Sequence, residues 1–272
     1  MRWRPAFLAI LPALTLAPAA EAAALKVDYR ITLAGLTLGQ ADLSGTFERD
    51  RYDLQMKAQL TGMAGLLSGS GRGGASARGS VASVRLLPSG FSATGQTSSA
   101  QRTVQVGIES GNVTRVEINP PFERRTDRVP LTDEHKAGII DPLSATLVAV
   151  PRNNRPGDPA NCERTMPVFD GTLRFDVVLS YVETKRVQKP GYSGDVLVCS
   201  VRYIPVAGHR PDLPSVRFMA ANQDINVWLA PVEGTRLLAP IRISVATMLG
   251  TTVIEAERWT LDTGELKGAL TR

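Results

Sequence analysis

The groups able to do chemistry in this 272-residue chain are few and scattered: two cysteines, two histidines, and serines and carboxylates without a recognisable order. A serine nucleophile in a sharp strand-to-helix turn needs Gly-x-Ser-x-Gly. Ser76 has Gly74 two residues before it but Arg78 two residues after, and Ser70 is followed by Arg72. A hydrolytic triad also needs a base. His135 sits among charged residues and His209 in the turn Gly208-His209-Arg210-Pro211, so neither reads as catalytic. The histidines are too far apart in sequence for a local zinc pair, and Asp127 to Asp133 lacks the order of a calcium loop. Gly71-Arg72-Gly73-Gly74-Ala75-Ser76 lacks the Gly-Lys-Ser/Thr ending that cradles phosphate, and reads as a flexible loop or a Gly-rich bent strand. Glu255 and Glu257 stand two apart and read as a solvated strand edge. The chain therefore predicts no catalytic residue, no metal site and no cofactor.

Cys162 and Cys199 have a different use. The first residues are basic (Arg2, Arg4), an apolar stretch runs from Ala6 through Leu16, and small residues follow at Ala20, Ala22 and Ala24. This order predicts a cleavable export signal over residues 1–22, cut after Ala22 or Ala24. The apolar stretch is too short and too rich in proline (Pro5, Pro12, Pro18) to be a membrane anchor. Two cysteines in an exported chain predict a disulfide between Cys162 and Cys199, closing a loop that stabilises by about 4 kcal/mol on the chain-entropy model. The expected location is the periplasm, with residues 23–272 forming a single β-rich domain.

The net charge is +5, with basic residues dispersed and aromatics at 6%, which excludes a basic stripe with stacking aromatics and hence a nucleic-acid surface. No later stretch is long and apolar enough to predict a transmembrane anchor.

The elements that would position any site are strands. Leu25, Val27, Tyr29, Ile31 and Leu33 alternate with polar residues, as do Ala41 to Phe47 and Tyr52 to Leu60, a period of two that predicts an antiparallel meander. Similar runs occur at 104–108, 116–118, 173–181, 197–203, 225–229, 241–245 and 253–261. One helix is predicted, capped by Asp141 with Pro142 in its first turn, running through Val150 and ended by Pro151. Thr132 to Lys136 predicts a turn before it, and Met63 to Leu67 another. About a dozen strands with one apolar face predict a mainly β fold: a large, strongly curled antiparallel sheet, open or closed like a barrel, wrapped around the short helix.

Three strings then combine: Asp141-Pro142-Leu143-Ser144-Ala145; Cys162 followed by Val168-Phe169-Asp170-Gly171; and Cys199-Ser200-Val201-Arg202-Tyr203 continuing through Pro205 to Ala207-Gly208-His209. Together they resemble the exported proteobacterial family called domain of unknown function 3108 (DUF3108), over about residues 25 to 260. The resemblance implies an antiparallel β fold outside the cytoplasm, akin in shape to the open barrels of periplasmic lipoprotein carriers. It implies no activity.

The expectation is thus a non-enzymatic cell-envelope protein whose curled sheet binds a lipid-like or apolar ligand or an apolar segment of an envelope partner. The alternative is a structural or adaptor protein acting through its outer surface.

Overall fold

The computed structural model describes residues 22–61, 71–82, 84–123 and 125–264. The segment expected to be an export signal lies outside the described residues up to position 21, as does the turn expected at 63–67.

The fold is mainly antiparallel β. The strands are β1 (Ala22–Leu33), β2 (Leu36–Glu48), β3 (Arg51–Leu60), β4 (Arg72–Val81), β5 (Leu86–Gln96), β6 (Gln101–Glu109), β7 (Asn112–Asn119), β8 (Val148–Ala149), β9 (Arg164–Phe169), β10 (Arg174–Lys189), β11 (Tyr192–Ala207), β12 (Ile225–Val232), β13 (Leu237–Thr247) and β14 (Gly250–Asp262). Among the described residues one α-helix, α1 (Pro214–Ala221), joins β11 to β12. Among the described residues no helix is long and apolar enough to cross a membrane.

All fourteen strands belong to one sheet, in the order β7-β6-β5-β4-β3-β2-β1-β14-β13-β12-β11-β10-β9, with β8 attached to β13. The sheet is open, with β7 and β9 as its ends, so the closed-barrel form of the expectation does not hold. Two meanders, β1–β7 and β9–β14, meet through the β1–β14 ladder, which runs from Ala24↔Asp262 to Leu33↔Thr252.

Alternation builds the apolar face. On β2 every second residue from Gly39 to Phe47 is buried, and its neighbours are exposed. On β1, Leu25, Val27 and Tyr29 are buried and belong to the same cluster as Leu43, Phe47, Leu54, Val106, Ile108, Ile241 and Trp259. The Gly-rich stretch is β4. Its glycines allow close packing: a Cβ on Gly79 would sit 2.3 Å from the Leu87 carbonyl oxygen and 2.7 Å from the Tyr52 hydroxyl.

The helix expected over 142–150 is absent. Residues 144–146 make one 3-10 turn, and the chain then extends into β8. The physical reason is in the residues. Asp141 captures one turn, and after it Leu147-Val148-Ala149-Val150 finds hydrogen-bond partners on the edge of β13: Leu237↔Ala149, Leu238↔Val148, and Val150 N to Arg236 O at 2.9 Å. Three β-branched residues among six (Thr146, Val148, Val150) favour that outcome over a helix bounded by two prolines. The segment still covers the apolar face, with Leu143, Leu147, Val148, Ala149 and Val150 all buried. The turn expected at 132–136 is present as a 3-10 turn over Glu134–Lys136.

The β10–β11 hairpin pairs along its full length, but β12 pairs with β11 only from Leu197 to Ser200. Beyond that the hairpin leaves β12, and its tip reaches β14, where Trp259 N donates to Pro190 O at 2.9 Å and the Tyr192 and Trp259 rings lie 5.5 Å apart. Gly191, with φ +83, makes the approach: a Cβ there would lie 1.7 Å from the Trp259 carbonyl oxygen.

Candidate functional site

The side chains of β9 to β13 that share one face leave a cleft against the 142–148 segment. Period-two alternation selects its members: Val177 and Leu179 from β10, Val201 from β11, Val227 and Leu229 from β12, Ile243 from β13. Pro142, Thr146 and Val148 form the facing wall. The cleft has a volume of about 190 Å³, and the hydroxyl of Thr146 is the one polar side-chain group lining it. That hydroxyl donates to Leu143 O at 2.7 Å, so it is already satisfied within the wall. An aliphatic cleft of this kind takes an apolar ligand and offers it no directional contact.

The wall is fixed by polar groups beneath it. The fully buried Asp141 carboxylate accepts from Leu143 N at 3.0 Å and Ser144 N at 2.8 Å, the hydrogen bonds of a helix cap used here to hold a single turn. The Ser144 hydroxyl meets the Tyr52 hydroxyl of β3 at 2.8 Å, across 92 positions of sequence. Burial pushes the Asp141 carboxyl up to about 6, and hydrogen bonds from Ser144 and Leu143 restrain the rise. Burial also raises the Tyr52 hydroxyl well above its ordinary value, so the phenol is a neutral partner. Ser144 is fully buried, so its hydroxyl has structural reach only. Tyr29 of β1 donates to Pro240 O at 2.6 Å and pins β13 from the opposite side.

Cys162 and Cys199 are brought together, their sulfurs at disulfide distance and their Cα atoms 5.7 Å apart. Both are fully buried, among Val148, Val150, Leu179, Leu197, Leu229 and Leu238. The pair links the 3-10 turn at Pro159–Asn161 to β11, next to the cleft floor.

The remaining candidates are dispersed. His135 Nδ1 accepts from Thr132 N at 3.1 Å and closes its own turn. His209 is buried, with its carbonyl oxygen accepting from Val129 N at 2.9 Å. Glu255 lies 2.9 Å from Lys189 Nζ and 3.0 Å from Arg242 Nη1. Burial raises its carboxyl, but the hydrogen bonds and charges of Lys189 and Arg242 outweigh burial and leave it below its ordinary value. Glu257 pairs with Arg30. The two glutamates are therefore spent on separate ion pairs. The Tyr52–Ser144–Asp141 contact escapes sequence reasoning, because nothing near Tyr52 or Ser144 in the chain marks them as partners.

A family model described as a protein of unknown function (DUF3108) matches residues 28–257. No curated protein and no solved structure matches the chain.

Proposed function

The chain belongs to the DUF3108 family, and from that premise we propose that it is a non-enzymatic envelope protein of the periplasm, holding an apolar ligand chain or a partner's apolar segment in the cleft between the 142–148 wall and β9–β13. The observation that carries this reading is the cleft itself, whose lining is aliphatic apart from one satisfied hydroxyl. At about 190 Å³ it is smaller than the roughly 300–1,000 Å³ of a drug-sized site. It suits a single acyl chain or a few side chains better than a ring system. A strongly curled sheet is supported by the β9–β10 turn, where a Cβ on Gly171 would lie 2.7 Å from Val104 and 3.4 Å from Val106 of β6. A compartment outside the cytoplasm is supported by the paired cysteines and by the basic-apolar-small order of residues 1–24.

Native mass spectrometry of the protein purified from its own host tests the proposal, together with displacement of a fluorescent fatty-acid probe. A co-purifying lipid or peptide is expected, with probe binding lost on Val227→Asp, which places a charge in the cleft. A ligand-free protein that ignores the probe, or one whose probe binding survives Val227→Asp, would overturn it.

A further inference from the structure

The two rims of the sheet differ in chemistry. At one rim the turns carry charge: Glu48-Arg49-Asp50-Arg51 between β2 and β3, Glu109 at the start of the β6–β7 turn, Glu233 and Arg236 between β12 and β13. At the opposite rim the chain is free of charge over residues 31–41, 86–101 and 243–254, the stretches that contain the β1–β2, β5–β6 and β13–β14 turns. The β1–β2 and β13–β14 turns are neighbours in space: Ala34 N donates to Thr251 O at 2.9 Å, and a Cβ on Gly250 would lie 3.0 Å from that of Ala34.

These uncharged hairpins are also where apolar side chains stand in water, whereas the β11–β12 connection at the same rim carries the exposed Asp212, Arg217 and Asp224. Leu249 is 80% exposed, Leu36 and Met248 61% each, and Phe122, just after β7, 41%. They are four of the eight large hydrophobic side chains exposed among the described residues. Leu36, Met248 and Leu249 lie at hairpin tips, where nothing in the fold requires an apolar residue.

Below the rim the sign of the charge is set. The first charged residue is basic on β1, β3, β4, β6 and β13 (Arg30, Lys57, Arg72, Arg102, Arg242). It is acidic on β2, β7 and β14 (Asp42, Glu117, Glu255) and immediately before β12, where the Asp224 carbonyl oxygen accepts from Ala246 N at 2.9 Å. Glu117 pairs with Arg115, and Glu255 and Glu257 in turn occupy Arg242 and Arg30. Arg72 and Arg102 hydrogen-bond only neutral groups, the Gln96 side chain at 2.8 Å and Pro120 O at 3.1 Å, and the Arg102 guanidinium lies 4.0 Å over the exposed Phe122 ring.

The geometry points to docking of this rim on an anionic lipid bilayer. Exposed leucine and methionine enter the acyl boundary, uncharged Thr, Ser and Gly backbone turns cross the headgroup layer at low dehydration cost, and Arg72 and Arg102 meet lipid phosphates. An apolar patch meant for a protein groove would gain little from three hairpins cleared of charge. A membrane surface penalises charge along the whole line of entry.

Vesicle flotation with the full chain tests the assignment, using phosphatidylglycerol-rich vesicles, phosphatidylcholine vesicles, and the Met248→Asp/Leu249→Asp variant. The variant changes only exposed positions, and its unfolding midpoint is measured alongside as a folding control. Binding to anionic vesicles is expected to exceed binding to phosphatidylcholine, to weaken with salt, and to fall by about tenfold or more in the variant. A Leu249→Trp variant reports the rim separately from the N-terminal apolar stretch, and its added emission is expected to shift to the blue on anionic vesicles. Equal flotation of the folded double variant, or an unshifted emission from the Leu249→Trp variant, would overturn the assignment, as would retention by an envelope protein without any vesicle binding.

Discussion

Replacing Asp141 by Asn separates the two things this buried side chain does. The carbonyl oxygen of Asn accepts the same amide hydrogen bonds from Leu143 and Ser144 and carries no charge, so the turn stays capped. What changes is the response to pH. The Asp141 carboxyl sits at about 6 in the folded protein, against 3.8 as its ordinary value, because burial penalises its ionised form. Between those values the folded protein holds the proton and the unfolded chain has released it. Folding therefore takes up a proton, and stability falls as pH rises through this window. The penalty is absent below about pH 4 and complete above about pH 7, and a displacement of this size corresponds to about 3 kcal/mol. Urea unfolding followed by Trp228 and Trp259 emission measures it in both proteins across that range. The stability of wild type minus that of Asp141→Asn is expected to drop by about 3 kcal/mol from about pH 4 to about pH 7.5, other carboxylates cancelling in the difference. Asp141→Ala, which also removes the cap, loses a further ~1 kcal/mol at every pH. A wild-type-minus-Asn difference that stays flat, or rises with pH, would refute the account of a buried ionised carboxylate.

Reducing the Cys162–Cys199 pair, or replacing both residues by Ala, is expected to cost about 4 kcal/mol for a sequence separation of 37, read from the urea midpoint with and without reductant. Tyr52→Phe removes the partner of the buried Ser144 hydroxyl and is expected to cost about 1–2 kcal/mol in the same assay near neutral pH, by loosening the cleft wall from β3. Gly191→Ala drives a Cβ into the Trp259 carbonyl oxygen at a positive φ, so the β10–β11 tip must lift off β14; a loss of at least about 3 kcal/mol and altered Trp259 emission are expected.

The strands with a strict alternation of apolar and polar residues were legible from the chain, β1 to β3 most plainly, because one face of each is dry and the other wet. β4 was not. Arg-Gly-Gly-Ala-Ser-Ala-Arg-Gly-Ser-Val has almost no apolar side chain to alternate, and its strand state is set by its neighbours β3 and β5. The 142–150 segment misled for the opposite reason: its cap signal was real, but it operates for one turn before the β13 edge offers better hydrogen bonds. α1 is short, and its Pro214 start was the one local cue. Beside the cleft, the cysteine pair could be anticipated from its count and from the expected export. The lining could not, because it depends on which strands become neighbours: Val177, Val201, Val227 and Ile243 converge from four strands spread over more than sixty positions.

The strand order has a consequence for biosynthesis. The first and last strands among the described residues are partners at the middle of the sheet, so neither meander has a finished neighbour until β14 has been made. A ribosome-bound chain still lacking its final strand would present β1 and β13 as two raw edges. Completion by so distant a contact is slow. A protein built this way closes its sheet only when strands more than two hundred residues apart in sequence meet.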